Sequence, residues 1–230
     1  MRPQRTILSG TYGTQAGLTR ITSFAILNPE YTFTLCGICD ILAHLMERYF
    51  SSEQGNILSD GLLESAMRTI IYLGRRVIEN PKDYNIRAQI MWTGTIAHND
   101  LLDRGRNGGD WATGMIEHSV SAHYNIAHGA GLSILYPAWL LYVGVKKPEK
   151  ILAFAKNVLK VEEQEKTTEI AVERLKNFYK LFGLSTSFSE AGISEKDFQI
   201  MSEEVAGTFP VGSYYSLKVE DVNNILYLAK

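Results

Sequence analysis

From Cys36 to the end of the chain, apolar positions recur at helical spacing. Ile38, Leu42, Leu45, Met46 and Tyr49 form one stripe. Ser59-Asp-Gly-Leu-Leu-Glu opens a second helix that runs to about Glu79, where Asn80-Pro81 ends it. Asp83 or Asn85 caps the next, which carries Ile90, Met91, Ile96 and Leu101. Arg104-Gly-Arg-Asn-Gly-Gly-Asp110 reads as a loop before a histidine-bearing helix. Further helices are predicted at about 149–160, 166–182, 194–206 and 219–229, with Gly183 stopping the second of these. Residues 1–35 have a different texture. Gly10, Gly13 and Gly17 punctuate Thr/Ile/Leu-rich pieces, and Phe24–Leu35 holds a strand-like run with an Asn-Pro turn. The pattern therefore predicts a mainly α protein, a helical bundle over 36–230 preceded by a short extended or β segment over 1–35.

Gly129–Val145 carries no charge, but it is shorter than the ~20 residues of a membrane span and contains Pro137. It reads as a central buried helix, bent or broken at the proline. The net charge of −2, with basic residues scattered, gives no reason to expect nucleic acid or an anionic membrane as partner. The N-terminus lacks the apolar core of a secretory signal, so the expected location is cytoplasmic. Cys36-Gly-Ile-Cys39 is a single CxxC leading into an apolar helix, and reads as a pair of small buried residues rather than a zinc or redox site.

Candidate chemistry gathers at two places. Asp40 and His44 are four apart, one turn along a single helix face, with Glu47 on that side too. Far downstream, Asp110–Gly131 places His118, His123 and His128 at steps of five. A carboxylate and imidazoles brought together suit a divalent metal with mixed oxygen and nitrogen ligands. Alone, the Asp40–His44 pair reads first as a helix-start aspartate beside a solvated histidine, and the second histidine group shifts the reading toward a metal.

The chain resembles the C-terminal helical domain of the iron-containing alcohol dehydrogenases, in their butanol dehydrogenase-like branch. The resemblance runs from about Phe24 to Lys230. It is carried by Phe24–Leu35, Asp40-Ile-Leu-Ala-His-Leu-Met-Glu-Arg-Tyr-Phe50, Asn80–Tyr84, Met91–Asn99, Gly109-Asp-Trp-Ala-Thr113, Ile116-Glu-His118, Ile126-Ala-His-Gly-Ala-Gly131 and Tyr136-Pro-Ala-Trp139. It implies that Asp40, His44 and His128 match three of the family's metal ligands, for Fe2+ or Zn2+. It also implies that His118 matches a histidine lying near the metal and the nicotinamide. The activity implied is hydride transfer between a small alcohol or aldehyde and NAD(P), with the metal polarising the substrate oxygen.

The chain departs from that pattern in three ways. Residues 1–35 look like the remnant of the end of an α/β nucleotide-binding domain, and Gly10–Gly17 does not replace a pyrophosphate loop. Leu35 runs directly into Cys36, where family members carry several more residues. The fourth ligand normally follows Asp-Trp-Ala-Thr directly, and here that position is Gly114. A glycine inside a helix also costs about 1 kcal/mol against alanine. The resulting expectation is a weakened metal site and an isolated chain with little or no turnover, in which His118 is the candidate replacement for the missing ligand and His98 and His123 serve structural roles. The competing readings are a non-catalytic remnant that pairs with another copy or with a separate α/β cofactor domain, and a metal-dependent hydrolase using Glu47 or Glu117 as base.

Overall fold

The computed structural model describes residues 31–52, 55–106, 108–162 and 165–230, and these form a helical bundle. In chain order the α-helices among the described residues are α1 (Tyr31–Tyr49), α2 (Ile57–Glu79), α3 (Tyr84–His98), α4 (Ala112–Tyr124), α5 (His128–Lys146), α6 (Glu149–Asn157), α7 (Thr167–Lys180), α8 (Phe198–Ala206) and α9 (Val219–Leu228). Short 3₁₀ turns at Leu101–Asp103 and Glu195–Asp197 follow α3 and precede α8. A single antiparallel bridge, Val211 with Leu217, closes the loop before α9. The readings placed on residues 1–30, including the extended segment and Gly10–Gly17, lie outside the described residues.

The uncharged stretch around Pro137 is the axle of the bundle. α5 packs against α1, α4, α7 and α9, and Leu135, Leu140 and Val143 have no exposed surface. A helix apolar all round must be covered on every side. Among the described residues, no helix is long and apolar enough to cross a membrane. The helix continues through Pro137 rather than breaking there. Trp139 packs its ring 5.0 Å from that of Phe50, at the end of α1.

α1 supplies the other half of the core. Ile38, Leu42, Leu45 and Met46 are all fully buried, as their spacing predicts, and each contributes roughly 1.5–3 kcal/mol of transfer free energy. Cys36 and Cys39 are free, buried thiols whose pKa burial pushes up, which fits small core residues.

Several boundaries differ from the sequence pattern. α1 begins at Tyr31, so Tyr31–Leu35 is helical and the chain passes Leu35–Cys36 without a break. The Thr/Phe alternation there favours a strand, but burial of Leu35 and a hydrogen bond from Arg87 to Thr34 Oγ1 (2.8 Å) hold the turn against α3. α2 starts at Ile57, two residues before Ser59. α3 starts where expected, with Asp83 accepting from the Ile86 N–H at 3.0 Å, but ends at His98, leaving Leu101 in a 3₁₀ turn and exposed. Met91 is also exposed, while Ile90 is buried. Gly183 lies past the end of α7 at φ +70°, as a helix-stopping glycine should.

Candidate metal centre

Asp40 and His44 lie on the same face of α1, one turn apart, and that face meets the N-terminus of α5. What lets α5 approach is Gly129. A β-carbon at that position would sit 2.1 Å from the carbonyl oxygen of Cys36, so the two backbones touch where no side chain fits. The Tyr136 hydroxyl adds a hydrogen bond of 3.1 Å to the Ala43 carbonyl, beside His44. This contact carries His128, the first residue of α5, to Asp40.

The geometry at the junction centres on one oxygen. Asp40 Oδ1 lies 3.5 Å from His44 Nε2 and 3.6 Å from His128 Nε2. It is buried and has no hydrogen-bond partner. An orphaned carboxylate oxygen facing two imidazole nitrogens is costly unless something positive sits between them. Donors each about 2.1 Å from one ion, spread at a tetrahedral angle, stand roughly 3.4 Å apart. The residues therefore fit a divalent cation, both in donor chemistry and in spacing.

Protonation suits metal binding at His44, and ring orientation suits it at His128. Burial pushes His44 down to about 4, helped by His98, Arg48 and His128 and opposed by Asp40, so its ring stays neutral. His128 moves the other way, chiefly because its Nδ1 hydrogen bonds to Glu117, whose carboxylate is fully buried. That bond fixes the ring and leaves Nε2 for the cation. Glu117 also accepts from the Ser121 hydroxyl, and Gly131 provides its space, since a β-carbon there would meet Glu117 Oε1 at 2.2 Å. Neither the spacing nor the residue types revealed this support. The clue would have been a buried acid eleven residues before a histidine.

Glu47 is almost wholly buried, and burial pushes it up to about 7 against the opposing pull of the Gly114 N–H, which donates to Oε1 at 2.8 Å. A β-carbon on Gly114 would lie 2.6 Å from that oxygen, so the Glu47 carboxylate occupies the space beside the glycine. Glu117 thus holds His128, and Glu47 holds the backbone at Gly114.

The loop before α4 is pinned by Asp110. Its carboxylate accepts from the Tyr214 N–H at 2.8 Å and the Ala112 N–H at 3.2 Å, while its own N–H donates to the Glu47 carbonyl at 2.8 Å. Trp111 follows in a left-handed conformation (φ 59°), with its ring 5.7 Å from that of His44.

The remaining histidines separate clearly. His118 is exposed on α4, with its ring 5.0 Å from that of His128. His123 points away and pairs with Glu204 at 3.0 Å, a structural role. His98 donates from Nδ1 to the Gly94 carbonyl at 2.8 Å, yet its ring also stacks 4.1 Å from that of His44. Two sets of donors come within 4.8 Å of one another: Asp40, His44 and His98, and Glu117, His118 and His128. Asp40 bridges them through its contact with His128.

Residues 34–229 match the profile of the Fe-containing alcohol dehydrogenase family, C-terminal part. The chain belongs to this family. It is 34% identical over 216 residues to NADH-dependent butanol dehydrogenase A of Clostridium acetobutylicum, covering 88% of this chain and 55% of that protein. It is 28% identical over 216 residues to an NADPH-dependent aldehyde reductase of Escherichia coli. The crystal structure of NADH-dependent butanol dehydrogenase A from Thermotoga maritima superposes with a TM-score of 0.81 at 37% identity, covering 90% of this chain and 54% of that one. The chain thus spans about half the length of the relatives it matches. The matched part is the helical bundle.

Proposed function

We propose that this chain is the metal-holding half of an alcohol or aldehyde oxidoreductase, with Asp40, His44 and His128 as its core ligands. The observation that carries the reading is Asp40 Oδ1, buried, unpartnered and set between two imidazole nitrogens. A divalent cation (Fe2+ or Zn2+) bound there would act as a Lewis acid on the oxygen of a small alcohol or aldehyde. The chain's own residues provide orientation: Glu117 holds the His128 ring, Tyr136 ties α5 to α1, and Gly129 sets the distance between the helices. His118, exposed beside His128, would move a proton between the substrate side and solvent.

Hydride transfer needs a nicotinamide, NADH or NADPH, and no residue described here is assigned to it. That cofactor would sit on an α/β domain facing this surface, and Gly114 removes one donor from the family's usual set. The names of the relatives support the reaction class, and the donor geometry supports the metal.

The test is a titration of the metal-free chain with Fe(II) and Zn(II) in competition with a chelator, alongside Asp40→Ala. Saturable binding in the wild type that is lost in Asp40→Ala is expected. Equal binding by both would overturn the assignment. Oxidation of NADH with butanal by the 230-residue chain alone is expected to be undetectable, and measurable turnover would refute the division of labour.

A further inference from the structure

We infer that His98 supplies the fourth donor to the cation, replacing the side chain that Gly114 lacks. The inference rests on the metal-holding reading above. One ring nitrogen of His98 lies within 4.8 Å of donor atoms on both Asp40 and His44, and those three groups form one set. The rings of His98 and His44 are 4.1 Å apart at centroid, tilted by 48°. Because Nδ1–H is bonded to the Gly94 carbonyl at 2.8 Å, the nitrogen left with a free lone pair is Nε2. This repeats the hydrogen-bonding pattern that Glu117 imposes on His128, in which the protein engages Nδ1 and leaves Nε2 with its lone pair.

The backbone carrying His98 is held in place rather than loosely attached. Arg48, one turn after His44 on α1, donates from Nε to the Ala97 carbonyl at 2.7 Å. Its guanidinium is anchored in turn by Asp103 and by Asp100 at 3.0 Å. The last residue of α3 is thereby clamped against the helix that bears Asp40 and His44. An imidazole at that point reaches the site from α3, on the side of Asp40 and His44.

His118 is the competing candidate, one turn along α4 from Gly114. Its set contains His128 and Glu117 but neither Asp40 nor His44, whereas the His98 set holds both of those and meets His128 through Asp40 Oδ1 at 3.6 Å. Glu117 is already bonded to His128 Nδ1, so a cation shared by that set would have to compete with the bond that orients His128. The space next to Gly114 is likewise taken, by the Glu47 carboxylate. The donor missing on α4 is therefore replaced from α3.

The test uses Co(II), whose visible absorption reports ligand type and number, added to the full 230-residue chain. His98→Ala is expected to weaken cobalt binding by at least the roughly tenfold that loss of a metal site's outer partner costs, and to alter the d–d bands. His98→Cys is expected to add a sulfur-to-cobalt charge-transfer band absent from the wild type, whose own thiols, Cys36 and Cys39, serve as the control. Absence of that band overturns the inference whatever happens to affinity. Loss of affinity in His118→Ala with none in His98→Ala overturns it in favour of His118. If Asp40→Ala loses cobalt while both His98 variants behave as wild type, only this inference fails. If the wild type binds no cobalt, the metal reading fails with it.

Discussion

Glu117 is a fully buried carboxylate that touches no water, and its cost is met by hydrogen bonds from His128 Nδ1 and the Ser121 hydroxyl. Its contribution to the site is to hold the ring. Glu117→Gln is expected to weaken metal affinity about 10–100-fold without unfolding the chain, read by chelator competition and by an unchanged helical circular dichroism spectrum. Parallel loss of helicity would point to a packing role instead. Asp40 and His44 were legible in the sequence because four-residue spacing on a helix fixes their common face. The histidine run offers His118, His123 and His128 together, and only the family resemblance tells His128 and His118 apart from His123. The sequence offers Glu117 only as the base of a hydrolase and His98 only as a structural residue. Their roles depend on which helix ends meet, and neither a buried carboxylate nor a helix-terminal histidine carries a periodic signal.

At the scale of helices, the site is a junction of α1 and α5 made possible by a residue without a side chain. Gly129→Ala would push a methyl to 2.1 Å from the Cys36 carbonyl, and backbone cannot yield as a flexible side chain can. The expected loss is about 1–3 kcal/mol of stability together with weaker metal binding, measured by urea denaturation and metal titration. Gly37→Ala, on the facing helix with nothing within 4 Å, should instead stabilise by about 0.5–1 kcal/mol through helix propensity. If both variants behave alike, the close approach is not what Gly129 provides. The same element scale explains what the hydrophobic pattern revealed. The α1 stripe and the uncharged α5 announced themselves because burial imposes a period or removes charge altogether. The start of α1 was hidden because Phe33, Thr34 and their neighbours have strand-like propensities that tertiary contact overrides. The end of α3 was hidden because Leu101 continues the apolar pattern into a turn that exposes it.

Across the whole molecule, Asp110 links the loop before α4 to the segment at Tyr214, more than a hundred residues later. Burial pushes its carboxyl up to about 6 from the usual 3.8, against the hydrogen bonds that favour its charged form. The native state therefore keeps this proton longer than the unfolded chain does. Between about pH 4 and pH 6 the Asp110 contribution to stability falls as pH rises, by on the order of 3 kcal/mol, and it is flat outside that window. Asp110→Asn should remove that slope. Urea denaturation at both ends of the window checks it, and an identical slope in the variant would assign the pH dependence elsewhere. A larger consequence follows from where the proposed donors sit: Asp40 and His44 on α1, His98 at the end of α3, His128 at the start of α5. A cation bound by all of them would bind the native arrangement and not the unfolded chain, so occupancy and folding become linked equilibria. At one hundred times its Kd, such an ion adds about 2.7 kcal/mol to the native state. The cation would then serve the bundle as a clasp across three helices, quite apart from any chemistry it performs.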